Sequence, residues 1–396
     1  MSLDRWIEEH AIPLDPSTLE PPDEADLAAV DEALRRTRFV FLGETNHFVR
    51  EKTDFRLWWL RRIAATGRRV VLAEELSWSD AHDVSRYLES GDESHIARAA
   101  TFGDKRHERA DRCDEPTGVF KDSFAAYPHD AMLREHTRFY HGVRELGCVT
   151  RFFGFDVDAV GTGYEDVLAY RDDPDLKDAF WERLERRPGE TLDEEIERLE
   201  LVLDEHPGLG KARMAHIEVD AMIASLRYAS LVNPAPSYEA LRPAMELREQ
   251  VMKRHVERAL YPLTEDDVLV LMSHAFHLAK DDEAVRGPGV GPGGGRTTSL
   301  GQHLTKDLGL DAFAVWFLYG GGTDGQPLSD LPRTASFPAS TLNARLARRG
   351  VPLVVPVDEL AGDVPIGQMY NQVADVHLPS QADAIFFVPE VSPLGS

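Results

Sequence analysis

Four short apolar runs in this chain of 396 residues end in side chains that can move protons. Gly43-Glu44-Thr45-Asn46-His47 follows the first, Glu74 and Glu75 the second, Asp156 and then Asp158 the third, and His274-Ala275-Phe276-His277 the fourth. Carboxylates gathered with imidazoles support general acid–base catalysis, because an imidazole exchanges a proton near neutral pH while a carboxylate fixes its tautomer and stabilises the imidazolium. Each residue also has a plainer reading. Glu44 and Asp156 are placed to cap a following helix, as acids after strands often do, and His274 alone fits a hydrogen-bonded core histidine. His274 and His277, three apart, fit two metal ligands on one helical turn. His82, His107 and His303 have no comparable setting and are expected on the surface. Gly-x-Ser-x-Gly is absent, which disfavours a serine acyl-enzyme.

These residues converge only if the elements carrying them are aligned. Arg38 to Gly43, Val70 to Ala73, Arg151 to Phe155, Val268 to Met272 and Ala312 to Phe317 are near-continuous apolar runs, the pattern of strands covered on both faces. Helical segments lie between them; Phe55, Trp58, Trp59 and Ile63 fall roughly on one helical face. Strand alternating with helix predicts an α/β fold with a mostly parallel central sheet flanked by helices. In such a sheet the carboxyl ends of the strands share one edge, outside which ligands bind. Residues 164–261 break the rhythm: Asp193 to Leu203 and Ile217 to Leu231 have helical spacing, and Asn233-Pro234-Ala235-Pro236 ends the second. The expected organisation is residues 1–163 as the first part of the core, 164–261 as a helical insertion forming one side of an active-site cleft, and 262–396 as the second part. Gly287 to Arg296 is read as a mobile loop near the site; it lacks the Lys-Ser/Thr ending of a phosphate loop.

Composition narrows the partners. The net charge of −25 repels phosphate backbones and anionic membranes, so neither nucleic acid nor membrane is expected, and a small molecule is. Two cysteines, Cys113 and Cys148, make no disulfide framework. The first ten residues are charged from the start, unlike a signal peptide, and no apolar run is long enough to span a bilayer. A soluble, cytoplasmic protein is the expectation.

The ordered motifs resemble the erythromycin esterase family. Gly43-Glu44-Thr45-Asn46-His47, with Glu51 four residues after the histidine and Arg56 five beyond that, is similar to the family's opening Gly-Glu-x-x-His motif. Glu74 matches a strand ending in Glu, and Phe153-Gly154-Phe155-Asp156-Val157 resembles its Leu-Gly-Ile-Asp strand end. Arg248-Glu249-Gln250-Val251-Met252 looks like its Arg-Asp-x-x-Met helix, with Glu249 for Asp. Ser273-His274-Ala275-Phe276-His277 resembles Ala-His-Asn-x-His, and Thr298-Ser299-Leu300-Gly301 resembles the Ser-x-Gly that follows. Order and spacing hold from about residue 38 to 320. Ala275 and Phe276 depart from the family pattern, which bears on the substrate more than on the fold.

The resemblance implies a hydrolase that opens an ester or lactone, of a natural-product-like substrate, with no metal and no cofactor. It makes His47 the base that activates water, Glu44 or Glu74 the group that orients it, and Arg56 with His274 and His277 the groups that polarise the carbonyl. Asp156, Arg248 and Phe48 are expected to bind substrate. Three other readings stay open. The same site fits acyl transfer, cyclisation or elimination in a biosynthetic pathway; Glu44, His47, Glu74, His274 and His277 fit a zinc or manganese hydrolase; and a pocket that binds without turnover is the last.

Overall fold

The computed structural model describes residues 2–99, 129–157, 164–172, 176, 178–185, 187, 189–205, 212–232, 239–287, 298–325, 333–358, 360 and 362–396. Cys113, His107, Asp158, the run 233–236 and the glycine-rich run beyond Gly287 lie outside the described residues.

The apolar runs form strands, as expected. The main sheet has eight: β1 (Ile12–Pro13), β2 (Phe39–Glu44), β3 (Arg69–Ser77), β4 (Val149–Asp156), β5 (Asp267–His274), β6 (Ala312–Tyr319), β7 (Leu353–Pro356) and β8 (Ala384–Val388). Their order across the sheet is β1-β7-β8-β6-β2-β5-β3-β4. The strands β8, β6, β2, β5 and β3 run parallel to one another. At one edge β7 and β1 are added antiparallel. This is the α/β class read from the sequence, with an antiparallel border that the sequence did not disclose.

The interior strands are buried along nearly their whole length, all eight positions in β5 among them. That is why they read as continuous apolar runs and not as alternating ones. The helix Glu51–Ala65 is buried over Phe55, Leu57, Trp58, Trp59, Leu60 and Ile63, wider than a single stripe. Phe55 stacks on Phe317 of β6, and Trp58 meets Phe386 of β8.

The chain divides into two compact units. The first holds Met1–Glu75, Pro128–Phe152 and Glu257–Ser396; the second holds Leu76–Tyr127 and Phe153–Val256. Within the first, Trp6, Ile7, Trp316, Leu318, Val355, Ile366 and Phe387 belong to one apolar cluster. Within the second, the core is helical: Val167, Phe180, Leu199, Val202, Val219 and Ile223 pack together. The segments expected to be helical are so, over Leu192–Glu205, Ala212–Val232 and Arg242–Leu260. No helix among the described residues is long and apolar enough to cross a membrane.

Candidate active site

Strand register brings the first two site residues together. Glu44 ends β2 and His274 ends β5, and the two are direct partners across the parallel pair. Glu74 lies on β3 opposite Met272 of β5. Arg56, one turn into the helix that follows β2, is buried at the centre of these carboxylates. Its Nη2 donates to both oxygens of Glu44 at 3.0 and 2.9 Å, and its Nη1 donates to Glu74 at 2.5 Å. The planar fork of a guanidinium suits two carboxylates at once, which an ammonium cannot match.

His47 completes the chain. Its Nδ1 lies 3.1 Å from Glu44 Oε1, and its side chain is 26% exposed. A buried, ionised carboxylate beside Nδ1 favours the proton there and leaves Nε2 with its lone pair. Burial pushes the Glu44 carboxyl up, but Arg56, Lys52 and His47 outweigh it and hold it down at about 2. Burial likewise opposes the charge of Arg56, and Glu44 and Glu74 more than restore it.

His274 is the counterpart. Its ring centroid lies 5.1 Å from that of His47. Burial, reinforced by His47, depresses it to about 3, so it is neutral at physiological pH. The backbone N–H of Phe276 donates to its Nδ1 at 3.2 Å, which places the ring proton on Nε2. That Nε2 is buried and has no hydrogen-bond partner among the described residues. A neutral imidazole with an unspent N–H donor in a buried site can hydrogen-bond an oxygen that gains negative charge.

The remaining expected residues separate into two groups. Phe48 is buried beside His47, ring edge to ring face at 5.7 Å. His277 lies 3.5 Å from Glu75, whose other oxygen accepts from Ser273 Oγ and from the backbone of His274. Asp156 and Arg248 lie in the second unit and bind each other, through Nε at 2.7 Å and Nη2 at 2.5 Å. His82 and His303, expected on the surface, are partly exposed and each meets carboxylates. His82 is half-buried and meets Glu218, and His303 is held by Glu257 and Asp307 with 17% of its side chain exposed.

Several site residues escaped the sequence reading. Lys52 sits 3.7 Å from Glu44, and burial lowers its pKa, with Arg56 adding to the effect. It stands four residues before Arg56, on the same helical face, a spacing that was available in the sequence. Tyr140 donates to the second oxygen of Glu74 at 2.8 Å, and nothing in the sequence pointed to it. Asn46 was passed over although it lies inside the motif. It donates to Tyr319 and Asp324 and accepts from the backbone of Phe48, tying down the turn that presents His47.

The sequence model of a family described as Erythromycin esterase matches residues 64–391. That span contains Glu74, His274 and His277 and begins after Glu44, His47 and Arg56. No curated protein matches the sequence. Among solved structures the chain is similar to a Bacillus cereus protein, with a TM-score of 0.70 at 15% identity over 99% of this chain and 98% of that one. It is similar to a succinoglycan biosynthesis protein, with a TM-score of 0.70 at 16% identity over 99% and 97%. An erythromycin esterase mutant in its open conformation gives 0.63 at 17% identity over 98% and 99%. At these identities the likeness is one of fold.

Proposed function

We propose that this chain, which belongs to the erythromycin esterase family, is a hydrolase that opens an ester or lactone with water activated by His47. The observation that carries the reading is the His47–Glu44–Arg56–Glu74 chain, which leaves Nε2 of a partly exposed histidine as the open base. In this reading Nε2 takes a proton from water as the water oxygen attacks the carbonyl carbon. The oxyanion accepts a hydrogen bond from Nε2–H of neutral His274. Collapse breaks the carbon–oxygen bond, and the imidazolium returns its proton to the leaving alkoxide.

Arg56 occupies both carboxylates, which supports catalysis by proton transfer and hydrogen bonding over metal ligation by Glu44 and Glu74. Phe48 supplies an apolar wall beside the base. A natural-product-like substrate, of which macrolides are one class, follows the family. The test is incubation of chelator-treated protein with macrolides and simpler lactones in oxygen-labelled water. Solvent oxygen in an opened product is the expected result. Products without it would move the same site to acyl transfer, cyclisation or elimination. Activity that vanishes with the chelator and returns with zinc or manganese would overturn the metal-free reading.

A further inference from the structure

A second constellation of ligand-type side chains lies within the helical unit, in residues the hydrolytic site does not use. His82 sits on the helix Trp78–Ser90, Asp166 on the short helix Tyr164–Leu168, and Glu218 on the helix Ala212–Val232. All three belong to the second unit. Their ligand atoms fall within 4.8 Å of one another, the one such group of three among the described residues. We propose that His82, Asp166 and Glu218 form a binding site for a divalent transition-metal ion of the zinc or manganese class, which clamps the three helices that carry them.

The donor set is one imidazole nitrogen and two carboxylates, a combination that suits borderline divalent ions better than soft thiophilic ones. Ligand bonds of ~2.1 Å place neighbouring donors ~3.4 Å apart in a tetrahedral centre. His82 Nε2 and Glu218 Oε1 already stand 3.2 Å apart. Glu218 is 1% exposed, and its other oxygen accepts from Trp78 Nε1 at 3.0 Å. That contact aims the first oxygen at His82, as outer partners of metal ligands do. Asp166 is held through Oδ1 by Arg86 at 3.2 Å, and Arg86 also reaches Asp83 at 3.0 Å. Asp83 in turn lies 3.6 Å from His95. Burial raises the Asp166 carboxyl, and Glu218 and Asp83 raise it further against His82 and Arg86. A bound dication reverses that balance, and it is held by an imidazole lone pair and ionised carboxylates. The competing account is an ion pair between protonated His82 and the two acids, in which metal has no part.

Full-length, chelator-stripped protein titrated with Zn2+, and separately with Mn2+ and Mg2+, decides between them. The expected result is uptake of one Zn2+ or Mn2+ per chain at this site, weak response to Mg2+, and a rise of a few degrees in melting temperature on loading. His82→Ala removes both uptake and rise, Asp166→Asn weakens uptake at least tenfold, and His47→Ala leaves both unchanged. His82 is 31% exposed, so its truncation is compatible with folding, which far-UV circular dichroism verifies; Asp166→Asn decides if it misfolds. No uptake by the wild type, or uptake that survives His82→Ala and disappears in His47→Ala, overturns the site.

Discussion

Arg56 is buried between two carboxylates, and each of the three depends on the others. Removing a partner from a buried ion pair leaves a desolvated charge and costs about 3–5 kcal/mol. Arg56→Ala is therefore expected to cost that order of stability, measured by urea unfolding; a loss below about 1 kcal/mol would show that the carboxylates are solvated or protonated instead. Arg56→Lys keeps the charge but cannot span Glu44 and Glu74 together, so it recovers part of the loss. His47 is a different case, being partly exposed with its contact to Glu44 on one side. His47→Ala is expected to leave the unfolding midpoint within about 1 kcal/mol of wild type and to reduce kcat by about 10²–10⁴. Retained turnover would remove His47 as the base. Glu44, His47 and Glu74 were legible because each sits a short step from a strand end, and Arg56 through the family resemblance; Tyr140 was not, because its link to Glu74 joins distant segments.

At the scale of elements, the turn after β5 is fixed by the segment that begins at Thr298. Ser299 donates to the carbonyl of Ala279 and caps the backbone of Gln302. Gly301 donates its N–H to the carbonyl of His277 at 2.8 Å. A Cβ there would stand 2.3 Å from the carbonyl carbon of Leu278, so only glycine allows the approach. This gives the Ser-Leu-Gly segment a physical meaning. Gly301→Ala is expected to destabilise the fold by about 1–3 kcal/mol and to lower activity by shifting His277 and His274. Unchanged stability and turnover would place that backbone elsewhere. The strands β2 to β6 were readable from their apolar runs; β8, an apolar run as well, was passed over, and β1 and β7 gave no signal. Two and four residues, flanked by prolines and without a periodic pattern, carry too little information to be called strands. Pairing with β8 makes β7 a strand, and pairing with β7 makes β1 one.

At the scale of the whole molecule, two histidines with depressed pKa values enter the pH dependence of stability. His274 is depressed to about 3, and burial depresses His136 to about 4, both from an ordinary value near 6.5. The unfolded chain therefore binds these protons first. The stabilisation is full above pH 6.5 and is lost as pH falls towards those folded values, with a slope of up to about 1.4 kcal/mol per pH unit for each group. Glu44, depressed from 4.5 to about 2, adds a second loss below pH 4.5. Urea midpoints between pH 4 and 7 are expected to fall less steeply in His274→Asn and His136→Asn than in wild type. Parallel curves would mean that these rings are protonated in the folded protein.

The sequence by itself determined the α/β class and the strand ends that carry acids and imidazoles, because burial on two faces demands continuous apolar runs and a parallel sheet puts all carboxyl ends on one edge. It did not determine which of these groups meet. Strand order placed β2 between β6 and β5 and so set Glu44 beside His274, a choice made by packing over separations of more than two hundred residues. It left Asp156 and Arg248 to satisfy each other in the second unit. Only the tertiary structure fixed the ionisation of the site, since the approach of Arg56 holds Glu44 charged against its burial, and burial holds His274 neutral.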